Sequence, residues 1–214
     1  MPGTTSIDQS QRHSQSIDES TSSVEYMSRQ AVIQIGVDAL NEAGSDLICS
    51  ICIKNGGSCC SGCSFLVDRV GCTNRNTSCT AWLCGFLKYL FYASGHLQEW
   101  EGFWRQVPGQ GFREDRTPEL FNVKKPLRIP NIRRLSEALA NDLQELAAQR
   151  IAIGFIITLR DKIDKNIDQL NHCKNDPRKR SRIERNIKVL SSPFHHFQQE
   201  LREYLLSNSS TCAT

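Results

Sequence analysis

Apolar positions recur at helical spacing over most of this chain, with one long interruption between residues 49 and 84. Met27, Ala31, Ile35, Val37 and Leu40 set a moderate helical period over 24–43, and Ala43-Gly44-Ser45 reads as its C-terminal stop. Phe86, Leu87, Tyr89, Leu90, Phe91 and Tyr92 open a strongly apolar helix after the interruption. Gly95 ends it, and 96–107 continues as a second helical piece. Its Trp100, Phe103 and Trp104 form one aromatic face at i, i+3, i+4 spacing, a pattern of core packing rather than of a binding platform.

Further on, Leu135, Leu139, Leu143 and Leu146, then Ile156, Ile163, Ile167 and Leu170, predict a long helix over 131–171. NHCKNDP breaks it. Ile183, Ile187, Leu190, Phe194, Phe197, Leu201 and Tyr204 continue in alternating fours and threes, with Pro193 marking a kink or a fresh start capped by Ser192. These two segments are expected to pair as a long antiparallel helical hairpin, as a monomer or a homodimer. The predicted fold class is therefore mainly α, an irregular cysteine-rich module packed on helices and followed by that hairpin.

Domain organisation follows from composition. Residues 1–23 are a Ser/Gln-rich tail read as disordered, and 24–116 hold the first helix, the cysteine module and the aromatic helices. The proline-marked stretch 117–130 is a linker, 131–207 the hairpin, and 208–214 a disordered end. No apolar run approaches the ~18 residues of a membrane span; the longest is IAIGFII, Ile151 to Ile157. Overall the 214 residues are 39% hydrophobic and 23% charged, and a formal charge of +3 is too small to argue for nucleic acid by itself.

The interruption holds the chemistry. Eight of the ten cysteines, Cys49, Cys52, Cys59, Cys60, Cys63, Cys72, Cys79 and Cys84, fall within it. Such density means a disulfide framework or thiolate ligands for a metal. The amino terminus has neither a basic nor an apolar signal region, so the expected location is cytoplasmic, where thiols stay reduced and metal is the favoured reading. Cys49 and Cys52 form one Cys-x2-Cys pair and Cys60 and Cys63 another, a spacing at which both sulfurs reach one ion through a tight turn. Side chains of the adjacent Cys59 and Cys60 diverge, so they serve different metal atoms or only one ligates. Zinc and an iron–sulfur cluster both suit the set. Lys54, Arg69, Arg75 and Lys88 lie near enough in sequence to offset the thiolate charge.

The string GGSCCSGCSFLVDRVGCTNRNTSCTAWLC resembles the YkgJ-type family of bacterial zinc- or iron-chelating proteins. In that resemblance Cys49 and Cys52 answer to the family's first pair, Cys59 and Cys60 to its doublet, Cys72 to its Gly-Cys, and Cys79 and Cys84 to its last cysteines. It implies a metal cluster and names no reaction. No P-loop, dinucleotide fingerprint, nucleophile elbow or His-Glu-x-x-His occurs, so catalysis and its residues stay open.

A second feature is the basic segment 178–188, where Arg178, Lys179, Arg180 and Arg182 open a helix. Cations there oppose the helix dipole, and phosphate of a nucleic acid would relieve them; the plainer reading is a solvated turn. His195 and His196 read as surface or packing residues rather than ligands.

Overall fold

The computed structural model of the protein describes residues 25–60, 63–67, 71–111, 114–149, 154–173 and 176–211. The expected tail, 1–23, lies outside them. The described chain is mainly helical with three small two-stranded sheets.

Strand β1 (Glu25–Ser28) leads directly into α1 (Arg29–Glu42). The helix period expected from residue 24 therefore begins later. Ser28 ends the strand and caps the helix, its hydroxyl accepting from Ala31 N–H. Helix α2 (Ser45–Lys54) follows after Gly44, which takes φ +76° at the turn. Two short strands come next, β2 (Leu66–Val67) and β3 (Gly71–Cys72), then α3 (Thr77–Ala81), α4 (Gly85–Ala93) and α5 (Leu97–Trp104). Strands β4 (Gln110–Gly111) and β5 (Glu114–Asp115) pair with each other, and β6 (Leu120–Val123) pairs antiparallel with β1, Glu25 opposite Val123 and Ser28 opposite Leu120. Part of the stretch expected as a linker thus forms the partner of the first strand.

The two long helices expected after residue 130 are four. Helix α6 (Arg133–Gln149) and α7 (Phe155–Asn171) are separate, and Gly154 starts α7 at φ +82°, a conformation that favours glycine. Likewise α8 (Pro177–Leu190) and α9 (His195–Thr211) are divided by the turn at Ser191–Pro193. The proline break was legible, but Ser192 is not the cap. Asp142 of α6 reaches across instead: its two oxygens accept from His196 N–H at 3.1 Å and Phe197 N–H at 2.8 Å. Helix α9 also carries through residues 208–211, expected as a frayed end.

One apolar core joins both halves of the chain. Helix α7 packs on α4 and α8, and α6 packs on α2 and α9. Tyr89 of α4 meets the rings of Phe194 and Phe197 at 5.6 and 5.3 Å. The aromatic face of α5 is buried as expected, and Trp100 Nε1 donates to Ala81 O at 2.8 Å, fixing α3 against α5. These contacts hold the cysteine-bearing segments against a rigid helical body.

Candidate metal centre

Helix α2 brings the first thiols. Cys49 and Cys52, three residues apart, share one face of the helix. They are not in an irregular knuckle, because Ile48 and Ile51 are buried and commit the segment to helix. Its position on α6 is fixed by the Ser136 hydroxyl, which donates to Ala43 O, and by the Arg133–Asp46 ion pair at 3.2 Å. Beyond α2 the chain turns back sharply. Gly57 N–H donates to Cys52 O at 2.8 Å, and a Cβ at Gly57 would collide with the Cys52 sulfur. Only glycine lets this turn close over the thiol and return Cys59 to it.

The fourth thiol comes from another element. Cys84 is the N-cap of α4 and is buried. The next residue, Gly85, lies directly on the backbone of α7 at Arg160, and this close approach seats Cys84 beside that arginine. Interaction with the neighbouring Cys84 thiol, and then burial, hold the Cys59 proton on and raise its pKa. The same interaction is the main reason that Cys84 is lowered to about 7 despite its burial, with further help from the start of α4 and Arg160. Cys49 is pushed up to about 11 by burial first, then by the neighbouring Cys84 and Cys52 thiols. Burial also raises Cys52, opposed by Arg160, whose Nη1 stands 3.5 Å from its sulfur. In this state Cys84 is the one thiol of the four that ionises easily.

Arg160 supplies the counter-charge that sequence proximity had assigned elsewhere. Arg75 helps, lowering Cys49 weakly. Lys88 is occupied by Asp164 and by Asp168, the latter at 2.7 Å, Lys54 is exposed, and Arg69 lies outside the described residues. Arg160 is 108 residues from Cys52, and nothing local in the sequence marks it.

A cavity of about 540 Å³ is lined by Cys59, Cys60, Cys63 and Cys79 together with Trp82 and Arg160. Cys63 N–H donates to Cys60 O at 2.8 Å. Cys79 is carried by α3, whose N-cap Asn76 accepts from Cys79 N–H at 2.8 Å. Asp115 anchors α3 by accepting from Thr77 N–H at 3.0 Å and Thr77 Oγ1 at 2.9 Å. Cys72 pairs through its backbone with Leu66, and its side chain lies outside the described ones. Cys49, Cys52, Cys59, Cys63, Cys79, Cys84 and Cys173 are in no disulfide.

Thiolate sulfur is the donor that zinc and iron–sulfur clusters take, and the donor chemistry fits either. Among the described residues, however, no three of these sulfurs lie within 4.8 Å of one another. A tetrahedral zinc ion holds its sulfurs about 3.8 Å apart. A single ion therefore requires the thiols to close inward, whereas a cluster spreads its ligands further apart.

The trio Asp142, Glu145 and His196 does lie within 4.8 Å. Its chemistry is already spent on folding, since buried Asp142 caps α9 and accepts from His196 Nδ1 at 2.7 Å. His195 is exposed. Arg178, Lys179, Arg180 and Arg182 are all exposed at the start of α8, where Asp176 caps the helix and Arg180 pairs with Glu184 at 2.8 Å. Among the described residues no helix is long and apolar enough to cross a membrane. No family model, curated protein or solved structure matches the chain.

Proposed function

We propose that this chain is a metal-binding protein whose principal centre is formed by Cys49, Cys52, Cys59 and Cys84, taking zinc or an iron–sulfur cluster. The observation that carries the reading is the gathering of Cys49, Cys52, Cys59 and Cys84 in one place, where each thiol shifts the ionisation of its neighbours and Arg160 Nη1 stands 3.5 Å from the Cys52 sulfur. Each residue has a defined part. Helix α2 orients two sulfurs, and Gly57 and Gly85 permit the approach of the other two. Arg160 and the start of α4 favour the charged thiolate. Cys52 and Cys84 are buried and Cys49 half-buried, while Cys59 is the exposed side of the centre. Metal bound here also ties α2, the following turn and α4 together, so loading and stability are coupled. The centre is read as structural or redox-active, and no residue is assigned to catalysis.

Purification without air followed by metal analysis and an absorption spectrum tests this. Zinc in a colourless protein, or iron with the brown charge-transfer bands of a cluster, supports it and decides between the two. Cys52→Ser and Cys84→Ser are expected to lose that metal. A metal-free wild-type protein that binds neither zinc nor iron on reconstitution would sink the reading.

A further inference from the structure

We propose that α8 carries a second function, a cationic face that binds the phosphate backbone of duplex nucleic acid without reading its sequence.

The positive charge of the chain is gathered on this helix. Six cations, Arg178, Lys179, Arg180, Arg182, Arg185 and Lys188, stand against one carboxylate, Glu184. That is +5 on α8 in a chain whose total is +3, so the residues outside α8 are net −2. All six cations are exposed, and among the described residues only Arg180 has a side-chain partner, Glu184 at 2.8 Å. Ile183 and Ile187 are buried where α8 packs on α7. Arg178, Arg182 and Arg185, at i, i+4 and i+7, fall on the opposite side of the helix. Lys188 extends their row to about 15 Å, from the rise of about 1.5 Å per residue.

Helix α7 adds to the face. Asn186 Nδ2 donates to Asn166 Oδ1 at 3.4 Å, and the exposed Lys162 lies one turn from Asn166. The carboxylates of α7 do not cancel it, since Asp161 is held by Arg160, and Asp164 and Asp168 by Lys88.

The chemistry of the face selects its partner. A membrane surface takes an amphipathic helix by its apolar stripe, and the stripe of α8 is already buried in the core. Single strands are held by stacking on aromatic rings, of which α8 has none. Four of the six cations are arginines, whose paired N–H donors match phosphate oxygens. The major groove of a duplex admits a helix and lines it with phosphate on both sides. Arg178, Lys179 and Arg180 also stand in the first turn, where they oppose the helix dipole until an anion meets them.

The test is fluorescence anisotropy of a labelled DNA duplex of about 20 base pairs with the full chain, over about 50 to 200 mM salt. Four phosphates neutralised by Arg178, Arg182, Arg185 and Lys188 give a slope of about −3.6 in log affinity against log salt, a loss of about 150-fold over that range. Arg182→Gln/Arg185→Gln is expected to halve the slope, to a loss of about 12-fold. Arg202→Gln/Lys124→Gln takes the same charge from exposed positions on α9 and after β6, and is expected to keep the wild-type slope. Circular dichroism of both variants is expected to match the wild type. No duplex binding at the lowest salt would overturn the proposal. So would a slope unchanged in Arg182→Gln/Arg185→Gln, or one that falls equally in the control variant. Tighter binding of a single strand of the same length would also overturn it. Binding to vesicles of phosphatidylserine and phosphatidylcholine without binding to duplex would assign the face to a membrane surface instead. None of these outcomes bears on the metal centre, whose four cysteines lie outside α8.

Discussion

Gly85→Ala probes the fold and the proposed centre together. Gly85 is the first residue of α4, and its Cα faces the backbone of α7. A Cβ there would stand 3.0 Å from both the Arg160 carbonyl carbon and Asp164 Cβ, and would overlap the Arg160 carbonyl oxygen. Real Cβ atoms essentially never come inside 3.0 Å of a neighbour. The obstacle is helix backbone, which cannot swing away like the end of a flexible side chain, so α4 must lift from α7. Overpacking of this kind costs about 1–3 kcal/mol, and a backbone obstruction belongs at the upper end. For a chain of this size each kcal/mol moves the melting temperature by about 2–4 °C, which gives a fall of about 6–12 °C. Lifting α4 also draws Cys84 from Cys59 and Arg160, so metal retention is expected to fall with it. Gly102→Ala in α5 is the matched control, because nothing lies within 4 Å of its would-be Cβ. It should stabilise by about 0.5–1 kcal/mol through the helix preference for alanine. Thermal melts by circular dichroism read both. A Gly85→Ala protein that melts with the wild type or above it would refute the close contact of α4 with α7.

Three further outcomes are expected. Arg160→Gln removes the charge 3.5 Å from Cys52 and beside Cys84, so in metal-free protein the Cys84 titration near pH 7 moves upward; an unchanged midpoint in the thiolate ultraviolet band would count against the counter-charge role. Because three of the four thiols at the principal centre are raised and only Cys84 is lowered, to about 7, zinc binding there at neutral pH should release between about three and four protons, measurable by calorimetry in buffers of different ionisation enthalpy. Asp115→Asn is expected to cost about 1–3 kcal/mol at neutral pH. Although burial opposes it, hydrogen bonds from Thr77 and Thr117 hold the Asp115 carboxyl below its ordinary 3.8, so its contribution is present above 3.8 and is lost as pH falls through the lower folded value. Acid unfolding curves of wild type and variant should therefore converge at low pH, and parallel curves would contradict this.

Sequence alone determined what depends on neighbours along the chain. Helical periodicity announced α4, α5 and most of α6 to α9, since repeats of three and four place apolar side chains on one stripe whatever that stripe meets. Pro193 announced the break before α9. The thiol density and the two Cys-x2-Cys spacings marked the stretch proposed to bind metal, because reach around a turn is a local property. The long apolar period also misled: it ran through Gly154, whose positive φ separates α6 from α7, and it hid that Cys49 and Cys52 ride a helix.

Tertiary structure decided the rest. Residues 25–28 became a strand because β6, some 95 positions later, offered its edge. Asp142 became the cap of α9, and Arg160 the partner of Cys52, because packing α6 against α9 and α4 against α7 brought them there. The proximity of Cys59 to Cys84, a residue of another element, has the same origin. Spacing limits which thiols can meet through a turn. Only the folded body fixes which distant thiol, and which charge, completes the set.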